Sequence, residues 1–162
     1  MISISSSVCV DAPARDVWAR LARLEDIQLW SEAVLTARCD GERSRGIGAQ
    51  RTCELAGGIT IEEHWVSWDE GRSFAYEGIG IPLLAHARNE WSVQPQDEMT
   101  LLTTRAEVVL KGGRIGRLLE PVVEYQIKRV TPKTLAAFKH LVEDGEPPKV
   151  KHAKLPPAPM AC

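Results

Sequence analysis

Several features that would announce a function are scarce or missing in this 162-residue sequence. There is no basic excess: Lys and Arg number 20 against 22 Asp and Glu, for a net charge of −2, so nucleic acid is not an expected partner. No apolar run approaches the ~18 residues of a membrane span. The longest candidate, Ile79 to Ala85, is broken by Gly80 and Pro82, and no integral membrane segment is expected. The opening MISISSSVCVDA holds no Lys, no Arg and no long apolar core. It does not read as an export signal, and a cytoplasmic protein is the expectation. Cysteine is sparse and scattered (Cys9, Cys39, Cys53, Cys162), with no C-x-x-C pair and no His at metal-ligand spacing. Free thiols are therefore expected rather than disulfides, and no metal ion or other cofactor is indicated. Phe and Tyr are rare too, at two each, whereas Trp numbers five. Tryptophan is the largest amphipathic side chain, suited to lining a space as well as to filling one.

The length suits one domain. Ile2 to Val10 is β-prone, and Asp11 with Pro13 reads as a helix start. Val17, Leu21 and Leu24 then recur at helical spacing, predicting a helix over about 13–24; a shorter one over about 25–32 carries Trp30. From 34 to 110 the period is two, and turn residues divide the stretch into six strands near 34–40, 48–55, 59–68, 72–79, 86–94 and 100–110. Short loops between them imply an antiparallel meander. After Gly112-Gly113 the period returns to 3.6. Ile115, Leu118, Leu119, Val122, Val123, Ile127 and Val130 form one stripe, and Leu135, Phe138, Leu141 and Val142 another. Pro121 and Thr131-Pro132 leave open one bent helix or two abutting ones. Residues 1–143 make the domain; 144–162, with five prolines, read as a flexible or extended tail.

A half-apolar antiparallel sheet must cover its inner face, and the terminal helix offers the only long apolar stripe. The expected architecture is α+β: a curved seven-stranded antiparallel sheet wrapped around a long C-terminal helix, with two short helices after strand 1. The stretch A-P-A-R-D-V-W at 12–18 with Trp30, W-D-E-G-R-S-F-A-Y at 68–76 and G-R-I-G-R-L-L-E-P at 113–121 resemble the polyketide cyclase/dehydrase-like branch of the START and birch-pollen-allergen superfamily (SRPBCC). The likeness spans about residues 3–143. It implies a helix-grip fold with a hydrophobic cavity for lipids, polyketides, sterols or similar compounds.

Hairpin registers select the cavity-facing residues. Closing a turn at Ala56-Gly57-Gly58 pairs Cys53 with Ile61, Arg51 with Glu63 and Ala49 with Trp65. Closing one at Glu70-Gly71 pairs Ser67 with Phe74 and Trp65 with Tyr76. One mainly apolar face results, joined by Trp91, Val93, Asn89 and Thr104, and apolar faces turn inward. The candidate ligand-binding residues are Trp30, Arg51, Glu63, Trp65, Phe74, Tyr76, Asn89, Trp91 and Thr104. Trp18 and Trp30 are placed near the cavity mouth, Trp65 and Trp91 on its wall, and Trp68 on the outer face. Arg51 and Glu63 are the charged exceptions on the inner face, a pair to which the resemblance also points. They could be a structural ion pair, an anchor for a ligand's polar head, or, through Glu63, a general base, although an Arg partner pushes a carboxylate's pKa away from neutrality. Glu63 and Tyr76 are thus the weak catalytic candidates. His64, His86, Arg88 and Glu90 fall on the outer face with Glu62, Arg105 and Glu107, as a solvated charged surface, and no H-E-x-x-H motif suggests zinc.

The favoured function is binding or carriage of a hydrophobic small molecule, lipid or polyketide-like, between sheet and helix. The alternatives are a polyketide cyclase, dehydratase or aromatase, and a regulatory or structural homodimer using the outer sheet face. A carrier needs only the cavity; an enzyme needs an unpaired acid or base within it.

Overall fold

A computed structural model describes residues 1–162. Alternating side chains from Ile2 onward become seven strands: β1 (Ile2–Val10), β2 (Val34–Asp40), β3 (Gln50–Leu55), β4 (Ile59–Asp69), β5 (Ser73–Ile79), β6 (Leu84–Gln96) and β7 (Met99–Leu110). They form one antiparallel sheet in the order β1-β7-β6-β5-β4-β3-β2, with β1 and β2 as its edges. Helix α1 (Ala14–Leu21) follows β1, then a 3-10 turn (Leu24–Asp26) and α2 (Ile27–Trp30). The helix α3 (Gly113–Asp144) lies across the concave face, completing the helix-grip fold. Pro13 occupies the position before α1; the Asp11 side chain does not cap it, and its backbone N–H instead donates to Glu143 Oε1 at 2.7 Å.

Three hairpin pairings read from the sequence are present: Cys53 with Ile61, Arg51 with Glu63, and Trp65 with Tyr76. On the opposite face Glu77, Arg88 and Glu107 stand in one cross-strand row, with Glu90 beside Arg105. The turn nearest the β4–β5 loop differs. A bulge at Val66 inserts one residue, so Trp68, not Ser67, pairs with Phe74. This reverses parity and moves Trp68 from the expected outer face to the inner side. There it stacks on Phe74 (5.4 Å between centroids, 16° between planes) and meets Trp18 edge-on at 5.4 Å.

α3 runs unbroken through both prolines for 32 residues. Pro121 and Pro132 are exposed, so the carbonyls they leave unpaired can turn to water. At its start a β-carbon on Gly116 would collide with the Lys111 carbonyl oxygen, which explains glycine at this close strand-to-helix approach. The two apolar stripes of α3 differ in fate. Leu135, Phe138 and Leu141 are fully buried, but Ile115, Leu118, Leu119 and Val122, expected to cover the sheet, face solvent. A helix of this length spans about 48 Å; its first half packs only Val123 and Ile127, on Ile2, Ile4, Val108 and Leu110, and its outer positions there meet no other element.

The segment after α3 takes the extended course, one of the two expected, and corrects the expectation of four free thiols. It is extended but not loose. Its backbone Pro159 carbonyl accepts from Cys9 N–H at 2.8 Å, His152 is buried with its N–H donating to Glu32 Oε1 at 2.6 Å, and Leu155 and Ala158 pack on the core. This path brings Cys162 beside the edge strand, where it forms a disulfide with Cys9 across a Cα–Cα distance of 5.2 Å, within ordinary bridging reach. Only Cys39 and Cys53 remain free thiols.

Candidate functional site

The gap between sheet and α3 is solid at one end and hollow at the other. At the solid end α1 lays Trp18 against Phe74 and Trp68, while Trp65 packs on Phe74 and on Tyr76 at 5.8 and 4.8 Å. The indole N–H groups of Trp18 and Trp68 both donate to Glu70, at 3.0 and 2.7 Å, and Arg45 pairs with the same carboxylate. These donors hold the Glu70 carboxyl below its ordinary pKa, the Trp68 and Trp18 hydrogen bonds foremost.

At the hollow end lies a cavity of about 400 Å³ with 12 hydrophobic residues among its 18 lining residues. Its floor is the inner face of β1, β5, β6 and β7; α2 closes one side, the middle of α3 forms the roof, and Ile81 of the β5–β6 connection with Leu84 at the start of β6 forms the rim. Trp30 and Trp91 meet edge-on at 5.4 Å, and Trp30 also meets Phe138 at 5.2 Å, so the aromatic wall is braced from behind. The indole nitrogen of Trp30 is buried without a hydrogen-bond partner.

Five of the nine residues predicted from sequence line this cavity: Trp30, Tyr76, Asn89, Trp91 and Thr104. Three of these are polar and adjacent in the sheet. Tyr76 on β5 is directly opposite Asn89 on β6, and Thr104 on β7 is opposite Trp91, one inner position further along. Their hydroxyl and amide groups put donors and acceptors on an otherwise apolar floor. Burial pushes the Tyr76 hydroxyl far above the ordinary phenol pKa, with Glu63 adding to the effect, so within the cavity it serves as a neutral donor or acceptor.

The other four, Arg51, Glu63, Trp65 and Phe74, are buried in the core outside the cavity lining. Arg51 Nε donates to Glu63 Oε2 at 2.6 Å, Nη1 donates to the Leu24 carbonyl, and the guanidinium lies 4.9 Å from the Trp65 ring and 5.7 Å from that of Tyr76. Burial opposes the Arg51 charge, but Glu63 outweighs it and raises its pKa. Cys53 Sγ sits 3.4 Å from the same Glu63 oxygen, and burial with that negative neighbour pushes its thiol to about 12. Glu63 is thus occupied by Arg51 and Cys53 and does not line the cavity. Of the five tryptophans, two line the cavity and three fill the solid end, where the expectation had put four around the ligand space.

Sequence reasoning missed the roof. Ile127, Val130, Thr131 and Thr134 line the cavity with Gln126; the first four follow i, i+3, i+4, i+7, and polar residues at core-facing spacing were the available signal. Ala87 and Ala106 on the floor are small inner-face residues whose lack of bulk leaves the space open. No three His, Cys, Asp or Glu side chains converge as a metal site would require.

Comparison with known proteins fits this geometry. The structure resembles the Zhui aromatase/cyclase from Streptomyces sp. R1128 at TM-score 0.75 and 22% identity, covering 88% of this chain and 93% of that one. A solution structure of a protein from Thermobifida fusca matches at 0.68 and 25%, covering 88% and 96%. Norcoclaurine synthase from Thalictrum flavum matches at 0.67 and 16%, covering 87% and 92%. No curated protein matches the sequence. The family described as polyketide cyclase/dehydrase and lipid transport matches residues 1–143. The chain belongs to that family.

Proposed function

We propose that the protein binds a hydrophobic small molecule, lipid or polyketide-like, in the cavity beneath α3. The observation that carries this is a hollow of about 400 Å³, mainly apolar in lining and kept open by Ala87 and Ala106 on its floor. Its size falls within the roughly 300–1,000 Å³ of small-molecule sites, which are typically apolar with a few placed polar groups. Each 100 Å² of apolar ligand surface buried there contributes about 2.5 kcal/mol. Tyr76, Asn89 and Thr104 orient a carbonyl or hydroxyl, and Trp30 and Trp91 provide flat walls for a ring or chain. The protein is read as cytoplasmic, a setting in which a bridge such as Cys9–Cys162 is uncommon.

A cyclase or dehydratase reading draws support from the family and from Tyr76, whose neutral hydroxyl could donate a proton or hydrogen bond to a polyketide carbonyl. Glu63 contributes little to it, being held by Arg51 away from the lining. Native mass spectrometry of freshly purified protein separates the outcomes. Binding predicts an adduct of a few hundred daltons that organic extraction removes unchanged. Turnover predicts that an added poly-β-ketone is released altered, and that Tyr76→Phe abolishes the change. If no adduct forms with any apolar compound offered, the proposal fails.

A further inference from the structure

The N-terminal half of α3 packs Val123 and Ile127 on the sheet and carries a second apolar stripe that faces outward. Ile115 is 72% exposed, Leu118 79%, Val122 59% and Tyr125 61%. At about 100° per residue these four fall within roughly 80° of helix arc, on a side turned away from Ile127 and Thr131, which roof the cavity. Soluble proteins seldom leave such a stripe bare without a partner.

Charge indicates which partner. Residues 111–133 contain Lys111, Arg114, Arg117, Lys128, Arg129 and Lys133 against only Glu120 and Glu124, an excess of four positive charges on a chain of net charge −2. Both acids are already engaged, Glu120 by the N-terminal ammonium at 3.0 Å and Glu124 by Lys128 at 2.5 Å. A second copy presenting the same face would set like charge against like. The adjoining β5–β6 connection extends the surface: Leu83 is 61% exposed, and it is held at a φ of 67°, a conformation that costs a leucine energy. A hydrogen bond of 2.8 Å from Lys111 N–H to its carbonyl ties it to the start of α3. Its neighbours Ile81 and Leu84 line the cavity.

We infer that this face, Leu83 with the outer stripe of α3, docks onto an anionic lipid bilayer. Ile115, Leu118 and Val122 enter the boundary between headgroups and acyl chains, and Arg114, Arg117 and Arg129 meet lipid phosphates. Docking in this way brings the rim at Ile81 and Leu84 to the bilayer, so that an apolar ligand can enter without crossing water. This purpose rests on the proposed cavity function, whereas docking itself does not.

The test is sedimentation of the whole protein with vesicles of phosphatidylcholine alone and of phosphatidylcholine with 30% phosphatidylglycerol. Partitioning onto the anionic vesicles should be at least tenfold stronger, and should fall steeply as salt is raised. L118S/V122S, which alters only exposed positions, should lose at least tenfold while keeping the wild-type melting temperature. R114E/R117E should erase the preference for anionic lipid. A106F, which fills the cavity, should still sediment. If wild type ignores both vesicles while taking up an apolar probe, docking is overturned and the cavity stands. If sedimentation persists but probe uptake is absent, the cavity reading falls alone. Ultracentrifugation showing a dimer that L118S/V122S dissociates, without vesicle binding, assigns the face to a second copy and overturns the inference.

Discussion

Replacing Arg51 by Met is expected to cost the protein much of its stability and almost none of its ligand affinity. Arg51 and Glu63 have side chains 4% and 7% exposed, respectively. Met keeps most of the aliphatic volume, so the loss is chiefly electrostatic. It strands the Glu63 carboxylate in the core, leaves the Leu24 carbonyl without its donor, and removes the cation over Trp65. Breaking one half of a buried pair costs about 3–5 kcal/mol. For a chain of this length each kcal/mol shifts the melting temperature by about 2–4 °C, so a fall of about 10 °C is anticipated. The double variant Arg51→Met/Glu63→Leu removes both charges and should recover most of the loss, because well-packed apolar replacements of buried pairs are often neutral. Urea unfolding followed by tryptophan fluorescence measures the stability, and titration with an apolar fluorescent probe measures the cavity. Probe affinity should change by less than about threefold, under 1 kcal/mol. A stable single variant with lost probe affinity would instead make Arg51 a ligand anchor.

Three other outcomes are expected. Opening the Cys9–Cys162 bridge, which closes a separation of 153 residues, should lower stability by about 4–5 kcal/mol through chain entropy; equal urea midpoints for Cys162→Ser and wild type would contradict the docked tail. With the bridge intact, Ellman's reagent should leave Cys53 untouched at pH 8, since its thiol is buried and pushed up to about 12, and denaturation should release it; prompt reaction of two thiols in the native protein would contradict the buried network. Glu70 has a lowered folded-state pKa, so its contribution is present above the ordinary carboxylate range and is lost as pH falls through the folded value. Glu70→Gln should therefore flatten a small acid-side slope in stability, and an unchanged slope would argue against the Trp18–Glu70–Trp68 clasp.

How much of this was legible in sequence depended on whether the information was local. Strand parity was legible for Cys53, Arg51, Trp65 and their partners, because one tight turn and an alternating pattern set the register. The bulge at Val66 was not: V-S-W carries no glycine or proline to mark an inserted residue, and one insertion sent Trp68 to the other face. The helix-grip order of elements was readable from the change of period at 34 and again at 112. Which part of α3 would find something to pack on was not, because periodicity reports that a stripe exists and not what lies opposite it. The pairing of Cys9 with Cys162 depended on a tail docking along an edge strand, a contact between the two ends of the chain that no spacing encodes. Tyr76, Asn89 and Thr104 were found by parity; the roof residues of α3 were missed because the helix was treated as cover and not as wall.

If the hollow under α3 receives an apolar ligand, an apolar fluorescent probe will distinguish wild type from Ala106→Phe. Ala106 lies opposite Asn89 on the cavity floor, so a phenyl ring there occupies the ligand's place. Wild type should bind saturably and one-to-one, with quenching of Trp30 and Trp91, and the variant should lose that binding by at least tenfold, about 1.4 kcal/mol, while melting no earlier than wild type. Undiminished binding by Ala106→Phe would place the ligand outside this cavity.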